Sequence, residues 1–133
     1  MTHNRRILVT APALAFIALC QGCASGPAFT GPIHLISNSD IVVVRAAARR
    51  KPDGILINGD VRRTNGYAGA VPGHLHVVGR DVPGGNVIAI TDVTWGEFMS
   101  RRFRLAYYKA FLKTDNPSAV ATITVEAVTG ENP

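Results

Sequence analysis

The residue pattern predicts an all-β domain over residues 33–128, an antiparallel sandwich of about seven strands following an N-terminal signal helix. Three observations carry this expectation. Short runs rich in Val, Ile and Thr alternate with Gly, Pro, Asn and Asp clusters, which is the signature of strands and turns. The stretch Ala121 to Glu126 alternates cleanly, with Ala121, Ile123 and Val125 on one face and Thr122, Thr124 and Glu126 on the other. No amphipathic helical stripe, heptad or internal repeat competes with this reading.

Taken in order, Ile41 to Arg49 holds three consecutive Val residues, and β-branched side chains favour a strand over the helix that the following Ala triplet would allow. Pro52-Asp53-Gly54 is a turn in which Pro fixes φ and Gly accepts positive φ. Ile55 to Arg63 is the next strand, with Ile55, Ile57 and Val61 sharing a face around Gly59. Asn58-Gly59 also fits a hairpin turn, although the strand character on both sides favours a plain strand or a bulge. Residues 64–73 form a Gly-rich loop, His74 to Arg80 a short strand, and Pro83-Gly84-Gly85-Asn86 a turn into Val87 to Trp95. Arg101 to Lys113 contains Ala, Leu and Lys that suit a helix, yet Phe103, Leu105, Tyr107 and Phe111 fall at even spacing and favour a strand. Asp115 to Ser118 then turns the chain into the last strand, Ala119 to Val128.

The pieces Ile57-Asn58-Gly59-Asp60-Val61, then Gly73-His74-Leu75-His76-Val77, then a Gly-Gly turn resemble small immunoglobulin-like sandwich domains of bacterial envelope proteins. The resemblance implies an immunoglobulin-like sandwich and no particular chemistry, since fold alone does not license a function. The Cys…Trp…Cys signature of antibody-type domains is absent.

Residues 1–22 read as an export signal. Arg5-Arg6 precede a thirteen-residue apolar run, Ile7 to Leu19, which is shorter than the roughly 20 residues a membrane-spanning helix needs. The run ends in Leu19-Cys20-Gln21-Gly22-Cys23-Ala24-Ser25, which resembles a bacterial lipoprotein signal. That resemblance implies cleavage before Cys23, acylation of Cys23, and, because Ala24 and not Asp follows, sorting to the outer membrane facing the periplasm. The sequence departs from the family pattern in having Cys20, not Leu, three residues before Cys23. The alternatives are an ordinary cleaved signal with Cys23 incidental, which leaves a soluble secreted protein, and an uncleaved anchor. Residues 23–32, rich in small residues, Gly and Pro, then read as a lipidated N-terminus and flexible tether, and 129–133 as a disordered tail.

Cleavage leaves 111 residues, enough for one modest core. Arg5 and Arg6 leave with the signal, so the mature chain has 12 basic and 9 acidic residues, a mild excess. An exported basic domain meets anionic lipid, acidic glycan or envelope proteins rather than nucleic acid. The expected partners are the membrane, through the anchor, and another envelope protein; neither a small-molecule ligand nor a cofactor is indicated.

Two constellations carry chemistry. His74 and His76, at i and i+2 on a strand, project from one face about 7 Å apart at Cα and could reach one Cu or Zn ion. A third ligand would have to come from His34, Asp60 or Met99; the plainer reading puts Leu75 and Val77 in the core and the histidines on the solvent face. Arg101, Arg102 and Arg104, with Trp95 nearby, suggest a surface for an anion or a partner, against the plainer reading of solvated arginines at a strand's start. Gly-x-Ser-x-Gly, a P-loop and His-Glu-x-x-His are all missing, and the acidic residues are scattered singly. The expectation is a non-enzymatic envelope lipoprotein, a binding or structural module, with a periplasmic metal-binding module as the alternative.

Overall fold

In the computed structural model, which describes residues 26–66, 69–98 and 104–130, the chain is all-β. Seven strands run β1 (Ile33–Ile36), β2 (Ile41–Lys51), β3 (Gly54–Arg63), β4 (Gly73–Arg80), β5 (Val87–Val93), β6 (Leu105–Lys113) and β7 (Thr122–Thr129), with one 3-10 turn at Pro117–Ala119. They form a sandwich of two sheets, ordered β1-β7-β4-β5 and β2-β3-β6. Every pairing is antiparallel except that of β1 with β7, which is parallel. An antibody-type sandwich divides its seven strands first, second, fourth and fifth against third, sixth and seventh. The likeness to that fold is therefore one of architecture and not of strand order.

Alternation sets β3, β4 and β7 as their sequences imply. Ile55, Ile57 and Val61 are fully buried, and so are Leu75, Val77, Ile123 and Val125. Asn58-Gly59 lies inside β3, where Gly59 is buried and pairs with Ala46 and Tyr108. Thr124 is half-buried on the outer face of a central strand, whereas Thr122, at the start of β7, is buried despite its outward parity.

β2 does not keep one parity. Ile41 and Val43 face the core, the register then shifts between Val43 and Arg45, and beyond the shift Ala46 and Ala48 face inward. Val44 is the extra residue of a β-bulge and is exposed. β6 also turns its unexpected side to the core. Ala106, Tyr108, Ala110 and Leu112 are buried, while Tyr107 and Phe111, read from sequence as an evenly spaced apolar set, are exposed.

The two deviations meet at one hydrogen bond. The Tyr108 hydroxyl donates to the Arg45 carbonyl at 2.9 Å, so the bulge carbonyl is satisfied from within the core. Gly59 leaves room for this, since a Cβ there would overlap the Arg45 carbonyl and sit 2.8 Å from the Tyr108 hydroxyl.

The segment read as a tether joins the domain. Ala28 bridges to Arg49, the Phe29 amide donates to the Ala48 carbonyl, and the Arg50 amide donates to the Pro27 carbonyl. Phe29 is only 8% exposed and belongs to the core, with the Arg50 guanidinium 5.5 Å above its ring. A large apolar ring beside a free strand edge outweighs the tether-like composition around it. β1 lies where the sequence shows only a change of texture at Ile33, and β7 extends one residue beyond the expected boundary, to Thr129.

Two outcomes test this core. Ile123→Ala should cost on the order of 2–5 kcal/mol, through lost burial and a residual cavity, and Thr124→Ala should cost roughly 0.5 kcal/mol or less, both read by urea unfolding. Burial pushes the Tyr108 phenol up from 10.0 to about 12, with Arg45 opposing and Asp60 adding to the rise. The folded state therefore holds the proton more tightly than the unfolded chain. The resulting stability is full below pH 10 and is lost as pH climbs towards 12. Tyr108→Phe should destabilise by about 1–3 kcal/mol near neutral pH, because the Arg45 carbonyl loses its partner. The gap between wild type and variant should then narrow between pH 10 and 12.

Candidate functional site

β4 and β5 bring His74 and His76 to one side of the four-stranded sheet, facing away from the core. Leu75 and Val77 point inward between and beyond them. Asp92 stands directly across from His76 in the ladder, and its Oδ1 lies 2.7 Å from His76 Nδ1 and 3.7 Å from His74 Nε2. The His74 side chain is 13% exposed, and those of His76 and Asp92 a little over a third. Glu126 of β7 occupies the opposite register position beside His76.

This is a carboxylate-anchored histidine pair, and Asp92 is the member that sequence spacing did not offer. The third ligands considered from sequence are elsewhere. His34 is on β1, separated from β4 by β7, and pairs in register with Thr124; Asp60 is in the other sheet; Met99 lies outside the described residues. Among the described residues no group of three or more His, Cys, Asp and Glu side chains is placed to hold a metal ion.

The second constellation is rearranged more deeply. Arg101 and Arg102 lie outside the described residues, as does Cys23. Arg104 has φ +55°, an uncommon conformation for a residue with a side chain. Its Nη1 donates to the Thr64 carbonyl at 2.7 Å, and its own carbonyl accepts from the Arg63 amide. Arg104 thus clamps the start of β6 to the turn after β3.

Trp95 lies instead in an open cleft of about 770 Å³ at the loop end of the sandwich, between residues 69–73 and 94–98. Val71, Pro72, Trp95 and Phe98 give it apolar walls, and Glu97 and Thr94 stand at its rim. Gly73 lets the indole lie against the start of β4, since a Cβ there would come 3.0 Å from Trp95 Cη2.

Arg63 organises this cleft, although in sequence it stands out only as half of the basic pair Arg62-Arg63 and not as a site residue. Its guanidinium sits 5.2 Å over the Phe98 ring, while Nε donates to the Asn65 carbonyl and Nη1 to the Gly69 carbonyl, each at 2.7 Å. One planar fork thereby fixes a loop and a wall together. The available signal was the Arg62-Arg63 pair at the end of β3: alternation sends one arginine outward and the other over the sandwich end.

Comparison with protein families, with curated proteins and with solved structures returned no match to this chain.

Trp95 is the only tryptophan in the sequence, so its fluorescence reports this cleft alone. Arg63→Lys keeps the charge but loses the two-carbonyl fork. It should shift Trp95 emission to the red and cost about 1–2 kcal/mol of stability. Unchanged emission and melting would show that the cleft is held by other means.

Proposed function

We propose that this protein is a lipoprotein of the bacterial envelope, anchored through Cys23 and acting by binding another envelope protein at the Trp95–Phe98 cleft. The observation that carries the binding reading is the pair of half-buried aromatic rings lining an open cleft, Phe98 under the Arg63 guanidinium and Trp95 against Gly73. Immobilised aromatic surface is the usual anchor of a protein interface, because the ordering entropy is already spent before the partner arrives.

A cleft with apolar walls and a rim carboxylate suits an apolar side chain flanked by a basic or polar one. Among the described residues lining the cleft, Glu97 is the one with an ionisable side chain, and it is exposed, which favours recognition over acid–base chemistry. Among the described residues no helix is long and apolar enough to cross a membrane. The attachment in this proposal therefore rests on the acylation that Gly22-Cys23 resembles.

Two separate measurements test the two halves. Cells fed labelled palmitate should label the wild-type chain and not Cys23→Ser; equal labelling removes the anchor. A photoreactive residue at Thr94 should crosslink in cells to one discrete partner, and Trp95→Ala should reduce that product at least several-fold. A crosslinking pattern indifferent to Trp95→Ala removes the cleft as the binding site.

A further inference from the structure

The outer face of the β2-β3-β6 sheet is unlike the rest of the surface. Register places Arg45, Arg49 and Lys51 of β2, Arg62 of β3, and Lys109 and Lys113 of β6 on this one face. Among the described residues, the one carboxylate on these three strands' outer face is Asp60, which pairs with Arg45 at 3.1 Å. The opposite outer face, on the four-stranded sheet, carries Asp92 and Glu126, and among the described residues its only Lys or Arg is Arg80 at the end of β4.

Two large rings rise from the basic face. Tyr107 is 52% exposed, and Phe111, at 36%, lies over Gly54 and beside Leu56 in the ladder. In sequence these residues are scattered: Arg45, Lys109 and Lys113 stand singly, the others in the run Arg49-Arg50-Lys51 and the pair Arg62-Arg63. The sheet gathers Arg49 and Lys51 from the run and Arg62 from the pair, and the β2 bulge decides which members of β2 face out.

The N-terminal segment gives this face an orientation. Residues 26–29 run along the free edge of β2 at the end that holds Arg49 and Lys51, where Arg49 Nη1 donates to the Gly26 carbonyl at 3.3 Å. Phe111 and Lys113 occupy the same end of the sheet, opposite Leu56 and Gly54. Cys23 precedes Gly26 by three residues, and three residues of chain reach about 11 Å at most.

We propose that the β2-β3-β6 face is a docking surface for an anionic phospholipid bilayer, laid flat on it by the anchor at Cys23. The inference rests on the anchored reading above and adds an orientation: basic face to the lipid, histidine face away from it. Lysine and arginine stems lie along the sheet while their charges meet phosphate headgroups, and Tyr107 and Phe111 reach the interface between headgroup and acyl chain. The Trp95 cleft, at one end of the sandwich, stays open to a partner in this pose.

The test uses the full chain as cells process it, reconstituted into vesicles of phosphatidylglycerol mixed with phosphatidylcholine, or of phosphatidylcholine alone. A photoreactive benzoylphenylalanine is placed at Phe111 in one preparation and at Ile90, on the opposite outer face, in another. Lipid adducts are counted by mass spectrometry after illumination. The expected result is adducts at position 111 in the anionic vesicles and few at position 90. Adducts at 111 should fall on the order of tenfold in phosphatidylcholine alone, or when Lys109→Glu and Lys113→Glu are introduced together.

Equal adducts at the two positions, or adducts at 111 indifferent to lipid charge, overturn the docking face. No lipid adduct at 111 together with retention on heparin overturns it too, and reassigns the face to an acidic polymer. The mass of the N-terminal peptide separates the two proposals. Adducts at 111 on a chain with bare Cys23 keep the face and remove the anchor, whereas acylated Cys23 without adducts does the reverse.

Discussion

The hydrogen bond from Tyr108 to the Arg45 carbonyl is the constraint on which the sandwich depends. A β-bulge breaks the ladder and leaves a backbone carbonyl without its usual partner. Here that carbonyl turns into the core, where an unpaired acceptor would cost about 1–3 kcal/mol. Only a long, rigid side chain with a terminal donor reaches it from the far side of β3, and it does so by passing over a glycine. Bulge, Gly59 and Tyr108 therefore form one unit built from three strands.

The bulge in turn makes β2 compatible with its own sequence. Continued without interruption, the parity of Ile41 and Val43 would drive Arg45, Ala47, Arg49 and Lys51 into the core. Two arginines and a lysine buried without partners would outweigh the whole stability of a domain this size. Inserting Val44 reverses the strand, so that Ala46 and Ala48 face the interior while Arg45, Arg49 and Lys51 face out; Arg50, of inward parity at the sheet's edge, lies half-buried over the Phe29 ring. The basic face and the narrow, alanine-lined part of the core are two results of the same extra residue.

This explains which parts of the fold were legible in the sequence. β3, β4 as far as Val77 and β7 from Ile123 onward alternate cleanly, and their inward faces could be read directly. In β2 the bulge has no composition of its own, because Val44 continues a Val run and nothing local marks the reversal. β6 carried a usable signal: Lys109 and Lys113 share a parity with Tyr107 and Phe111, and lysines mark the solvent face more reliably than aromatic rings mark the core. The strand order and the parallel pairing of β1 with β7 depend on contacts remote in sequence, which no local pattern records. At the candidate sites the solvent-face placement of His74 and His76 was legible. Asp92 and Arg63 were not, since they reach the histidines and Phe98 through cross-strand pairing and over the sandwich end.

The position of β7 bears on how such a chain reaches its fold. Its eight residues, near the end of the sequence, sit between β1 and β4 and supply Ile123 and Val125 to the core. Until they arrive, the larger sheet is only an isolated β1 and a β4-β5 hairpin, neither of which holds together alone in water. Contacts between the two ends of the chain close slowly, after the cost of closing a long loop has been met. A chain lacking residues 122–129 can therefore pair β2, β3 and β6 but can neither complete the four-stranded sheet nor close the core between the two sheets, so the final strand to be made is the one that locks the fold.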